Sequence, residues 1–175
     1  MTLHILFVCT GNLCRSPIAE RLARAYLRQM SGSADVTVSS AGTRAVVSQP
    51  MHPYAALVLQ RLGGDSADFY ARQFTPPMSQ DVDLVLTMTR AHRDQVLERA
   101  PYQVRRTFTL GEAARLMSDF TVGDIRDLAA LRPNIDTRNI PDIPDPIGQD
   151  LEFFASVGCQ IRDSLPPILK FCGRG

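Results

Sequence analysis

The chain runs from a short apolar segment, Leu3-His4-Ile5-Leu6-Phe7-Val8, through a seven-residue loop, Cys9-Thr10-Gly11-Asn12-Leu13-Cys14-Arg15, to Ser16-Pro17. A run of this length containing Ile, Phe and Val suits a buried parallel strand. Ser16 is a favoured N-cap residue, and Pro17 suits the first helical position, where its missing N–H costs nothing. Beyond it Ile18, Ala19, Leu22, Ala23, Tyr26, Leu27 and Met30 recur at intervals of three and four, which predicts a helix with one apolar face. The loop is therefore expected at a helix N-terminus, directly after a strand.

That position fixes its chemistry. Unpaired backbone N–H groups and the positive end of the helix dipole attract an anion. Gly11 and Asn12 tolerate the positive φ that lets successive N–H groups converge on one ligand. The same field favours a thiolate, so Cys9 is expected to be a nucleophile. Arg15 offers a planar fork for two phosphoryl oxygens. With 18 arginines and 4 cysteines in the chain, the bare Cys-x5-Arg spacing carries little weight. The strand before it and the helix start after it supply the specificity.

Together, Cys9 to Pro17 closely resemble the signature of the low-molecular-weight protein tyrosine phosphatases. The likeness continues through Ser39-Ser40-Ala41-Gly42-Thr43, Ala71-Arg72-Gln73, Asp83-Leu84-Val85-Leu86-Thr87-Met88 and Asp145-Pro146, in the family's order. The resemblance implies a three-layer αβα domain with a four-stranded parallel sheet, flavodoxin-like, over residues 1–175. It implies hydrolysis of phosphotyrosine on a protein substrate, with no cofactor and no metal. Cys9 would be the nucleophile, Arg15 the phosphate clamp and Asp145 the general acid and base. Thr10, Gly11, Asn12, Leu13, Cys14, Ser16, Ser40, Val46 and Ile147 would bind substrate or support the loop. Within that set Asn12 and Ser40 are expected to hydrogen-bond each other, and Ser16 to stabilise the Cys9 thiolate.

The residues themselves also point to an acid. An alkyl or aryl oxygen leaves far more readily once protonated, and a positioned carboxylic acid contributes roughly 10²–10⁴ in rate. Asp142 and Asp145 both lie in the segment Ile140-Pro141-Asp142-Ile143-Pro144-Asp145-Pro146-Ile147. Prolines on both sides restrain Asp145, while Asp142 reads as a solvated turn residue.

Length and composition agree with one enzyme domain. The 175 residues are 45% hydrophobic and 21% charged with net charge +1, which excludes disorder as the main state. No run reaches the ~18 apolar residues of a membrane helix. Lys170 is the single lysine, but the arginines are spread along the chain and matched by 18 acids, so no nucleic-acid stripe is expected. With the strand beginning at residue 3, no signal peptide is expected, and a cytoplasmic location follows; a monomer is expected. Cytoplasmic thiols stay reduced, as Cys9 requires. Cys14 reads either as a partner that traps oxidised Cys9 in a disulfide or as a small buried residue. Cys159 and Cys172 fit no metal spacing, and His4, His52 and His92 read as packing or surface residues.

Along the rest of the chain, strands and helices alternate, the pattern of a parallel sheet. Strands are expected at 36–40, 82–88 and 106–110. Helices are expected at 53–62, stopped by Gly63-Gly64, and at 89–100, 112–117 and 150–165, with Pro166-Pro167 ending or kinking the last. Residues 121–144 read as irregular. Ligands in such folds sit beyond the carboxyl ends of the strands, where Cys9 lies.

Departures from the family pattern, and rival readings, bear on substrate. Ile147-Gly148 and Ala45-Val46 stand where phosphotyrosine-preferring relatives usually carry aromatic residues, so the pocket walls are expected to be aliphatic. Phe69-Tyr70 replaces the family's His before Ala-Arg-Gln. Leu13 stands where a protein-arginine phosphatase of the same fold typically has Thr, and favours the tyrosine-type pocket. An arsenate reductase of this fold would need a cysteine pair near residues 75–95, and none is present. A non-catalytic phosphate-binding module would not need Cys9, Arg15 and Asp145 together.

Overall fold

The computed structural model describes residues 2–30 and 35–172. Four parallel strands, β1 (Leu3–Cys9), β2 (Val36–Gly42), β3 (Leu84–Thr87) and β4 (Thr107–Thr109), form one sheet in the order β2-β1-β3-β4. The helices are α1 (Arg15–Gln29), α2 (Pro53–Arg61), α3 (Pro76–Gln80), α4 (Arg90–Arg99), α5 (Leu110–Asp119), α6 (Leu128–Leu131) and α7 (Leu151–Cys172). None of them is long and apolar enough to cross a membrane.

Strand periodicity divides the core into two layers. Ile5 and Phe7 of β1, with Leu84 and Leu86 of β3, face a large core that gathers α1, α2, α5 and α7. Leu6, Val8 and Val85 face the opposite side, where Val96 and Ala100 of the α4 region and Phe74 complete a smaller core. The sheet is thus covered on both faces, the three-layer αβα arrangement expected. Buried on both sides, its central strands read as continuous apolar runs.

Local signals place several ends. Gly63, at φ 91°, closes α2: Gly64 N–H reaches the Leu59 carbonyl at 2.9 Å and Gly63 N–H the Gln60 carbonyl at 3.1 Å, a Schellman pair. Thr109 and Glu112 form a reciprocal capping box that starts α5 two residues before the expected position. β3 and β4 are each trimmed relative to 82–88 and 106–110. The segment 121–144 holds no strand, but it does hold α6 and three short 3₁₀ turns.

Pro166-Pro167 do not end the last helix, which continues to Cys172. The carbonyls that lose donors belong to Arg162 and Asp163, both on the exposed side, while Ile168, Leu169 and Cys172 beyond the prolines are buried. Burial of that last turn outweighs two missing hydrogen bonds.

Candidate active site

β1 delivers Cys9 to the carboxyl edge of the sheet, opposite Gly42 of β2. The chain then wraps into α1, and the segment after β2 clamps it from outside. Thr43 N–H donates to the Cys9 carbonyl at 2.9 Å, Arg44 to Thr10 at 2.9 Å, Val46 to Gly11 at 3.0 Å and His52 to Leu13 at 3.0 Å. In a trans peptide the N–H points opposite its C=O. With four carbonyls turned outward, the N–H groups of Thr10, Gly11, Asn12 and Cys14 turn inward, toward one side of the loop. Of the two residues that tolerate positive φ, Asn12 adopts it, at 56°, and Gly11 does not.

Asn12 is fully buried and holds the loop from within. Its Nδ2 donates to Ser16 Oγ at 2.8 Å and to Ser40 Oγ at 3.0 Å, and its Oδ1 accepts from Arg72 N–H at 2.9 Å. Ser16 Oγ and Cys9 Sγ are hydrogen-bonded at 2.9 Å. The helix begins at Arg15 rather than after Ser16, so Ser16 is not an N-cap; its hydroxyl is occupied by the thiol instead. Pro17 is accordingly the third helical residue, still within the turn whose N–H groups have no intrahelical partner.

The network does not need the histidine absent before Ala71. Ser40 donates to the buried Glu20 carboxylate, which pairs with Arg24 at 2.6 Å, and Arg72 Nε donates to the Ser40 carbonyl at 2.8 Å. Phe69 is buried, with the Arg21 guanidinium 5.5 Å above its ring, while Tyr70 is exposed. Glu20 lies in no motif of the sequence, and Arg72 falls in the Ala71-Arg72-Gln73 motif without a role being legible there, because their partners lie 20 and 60 positions away.

Arg15 is 4% exposed. Its Nη1 donates to the Ile143 carbonyl at 2.8 Å, and its Nη2 lies 3.5 Å from Asp145 Oδ2. The sequence-predicted acid and clamp are therefore adjacent. The Asp145 side chain is 53% exposed, and its other oxygen accepts from Ile147 N–H at 3.1 Å. Asp142 is not the free turn residue expected: its Oδ1 accepts from Arg90 N–H at 3.0 Å.

Cys14 is buried beside Cys9, and burial, reinforced by the charges of Cys9 and Asp145, pushes its thiol up to about 12. Val46 and Ile147 are 48% and 51% exposed, so they form a rim, while Leu13 is half-buried. His92, expected as packing or surface, instead places Nε2 2.7 Å from Thr10 Oγ1.

A thiol at a loop of inward amides, a buried guanidinium and a nearby carboxylic acid make a site for attack on a phosphoryl group. A sequence model of the family "Low molecular weight phosphotyrosine protein phosphatase" matches residues 4–173. A putative low molecular weight protein-tyrosine-phosphatase of Klebsiella pneumoniae is 35% identical over 160 residues, covering 91% of this chain and 90% of that protein. A protein-arginine-phosphatase of Geobacillus stearothermophilus is 37% identical over 127 residues, 73% of this chain and 79% of its own. The crystal structure of the Erwinia amylovora tyrosine phosphatase AmsI superposes with a TM-score of 0.75 at 27% identity, covering 98% of this chain and 93% of that one. The chain belongs to the low molecular weight phosphotyrosine protein phosphatase family.

Proposed function

We propose that this phosphatase hydrolyses phosphotyrosine on proteins through a phosphocysteine on Cys9. The observation that carries the reading is the convergence on one loop of the Cys9–Ser16 hydrogen bond, at 2.9 Å, and the Arg15–Asp145 pair, at 3.5 Å. Cys9 sulfur attacks phosphorus as the ester P–O bond breaks, and Asp145 gives its proton to the leaving oxygen. Asp145, now a carboxylate, takes a proton from water as that water attacks the phosphocysteine, releasing phosphate and the Cys9 thiolate. Arg15 and the amides of Thr10, Gly11, Asn12 and Cys14 bind the equatorial oxygens through both steps. Ser16 donates to the sulfur as it leaves. Leu13, Val46 and Ile147 border the bound side chain, and Ser40 acts on the loop through Asn12.

Leu13 supports a tyrosine-type pocket, since an aliphatic wall buries a phenyl ring without a polar partner. The arginine phosphatase among the relatives gives a second reading, in which phosphoarginine is the substrate. We further propose that residues 1–175 act as one catalytic domain, a monomer working on cytoplasmic proteins. Comparing kcat/KM for phosphotyrosine, phosphoarginine and phosphoserine peptides tests the substrate. Phosphotyrosine is expected to exceed the others by at least about tenfold, and Cys9→Ser to abolish turnover on all three. A phosphoarginine preference would replace the tyrosine reading, and full turnover by Cys9→Ser would end the covalent one.

A further inference from the structure

The first turn of α4 touches both halves of the site, although none of its residues enters the mechanism above. On one side is His92, 5% exposed, whose Nε2 lies 2.7 Å from Thr10 Oγ1 in the phosphate loop. Its backbone is fixed as well, because His92 N–H donates to Thr89 Oγ1 at 3.1 Å. On the other side Arg90 N–H donates to Asp142 Oδ1 at 3.0 Å, and Arg90 Nε lies 3.6 Å from the same oxygen. Just before the turn, the Met88 carbonyl accepts from Ile143 N–H at 2.9 Å. One turn thus holds the loop bearing Cys9 and the loop bearing Asp145.

The imidazole suits this task. Burial, then the Arg15 charge, lowers its pKa to about 4 against the opposing pull of Asp142 and Asp145. The ring is neutral near pH 7, so it holds Thr10 without setting a second cation beside Arg15. Its Nδ1 is buried with no hydrogen-bond partner among the described residues. An aliphatic side chain would fill this space without that cost. What the ring adds is the bond to Thr10.

We propose that the first turn of α4 is a strut that sets the spacing between nucleophile and acid, with His92 positioning Thr10 and Asp142 positioning Asp145. The proposal rests on the roles read above for Cys9 and Asp145. A misplacement of about 1 Å can cost about a hundredfold in rate, so a strut of this kind has a kinetic signature.

Steady-state kinetics with aryl phosphates of graded leaving-group acidity provide the test, on Thr10→Val, His92→Ala, the double variant, Asp142→Ala and Asp142→Asn. Thr10→Val and His92→Ala should each lower kcat about tenfold for every leaving group, with the double variant no worse than either, since one bond is lost. Thr10→Val probes that bond without opening the core, should His92→Ala fold poorly. Asp142→Ala should slow poor leaving groups about tenfold more than good ones, and Asp142→Asn, which keeps an accepting oxygen, should restore them. Multiplicative losses in the double variant, or equal slowing of all leaving groups by Asp142→Ala, would overturn the strut. Cys9→Ser and Asp145→Ala in the same series separate this failure from that of the parent reading: a Cys9→Ser enzyme with full turnover, or an Asp145→Ala enzyme without leaving-group dependence, defeats the mechanism itself.

Discussion

Cys9, Arg15 and Asp145 stand out as candidates in the sequence because each is announced locally, by a strand end, a helix start or flanking prolines. The residues that hold them were not. Glu20, Arg72 and His92 act on partners far along the chain, and a histidine at the third position of a helix looks the same whether it packs or bonds to Thr10. His92 makes a measurable prediction of its own. The unfolded chain takes up a proton at this residue near pH 6.5, the folded one only near about 4. Between those values the unfolded state binds more protons, so stability falls as pH falls. Urea denaturation at pH 7 and pH 4.5 should show wild type losing roughly 2–3 kcal/mol more than His92→Gln over that interval. Equal losses would mean that His92 titrates normally in the fold.

The elements differ in how much they disclosed. α1, α2 and the strands follow apolar periodicity and punctuating glycines, and all stand close to where the sequence places them. α7 runs past Pro166-Pro167 to Cys172, where the expected end does not occur, because backbone rules weigh hydrogen bonds and say nothing of the core waiting beyond. The β2 end carries a constraint that no periodicity reveals. A Cβ at Gly42 would collide with the Thr10 carbonyl and come within 3.0 Å of Asn12 N and 3.1 Å of Ala45 Cα. Backbone on both sides leaves little room to yield. Gly42→Ala should therefore destabilise the protein by about 1–3 kcal/mol and lower kcat/KM at least about tenfold, by pushing the phosphate loop from its amide geometry. Thermal unfolding and p-nitrophenyl phosphate kinetics would check both, and an active, fully stable Gly42→Ala would show that the loop adjusts.

At the scale of the whole molecule, the sheet order β2-β1-β3-β4 brings three carboxyl strand ends around one loop. β1 supplies Cys9, β2 leads into the clamp at Thr43 to His52, and β3 leads through Met88 to the strut and the acid loop. This parallel architecture was legible, since alternating strands and helices admit few other layouts. The distance between the nucleophile loop and the acid loop was not, because it depends on how α4 meets residues more than fifty positions later. The proposed mechanism stands on a covalent phosphocysteine at Cys9. Rapid acid quenching of wild-type enzyme during turnover of an aryl phosphate, followed by peptide mass mapping, tests it most directly: one phosphoryl group should appear on the peptide bearing Cys9, and a phosphoryl group on any other residue would contradict it.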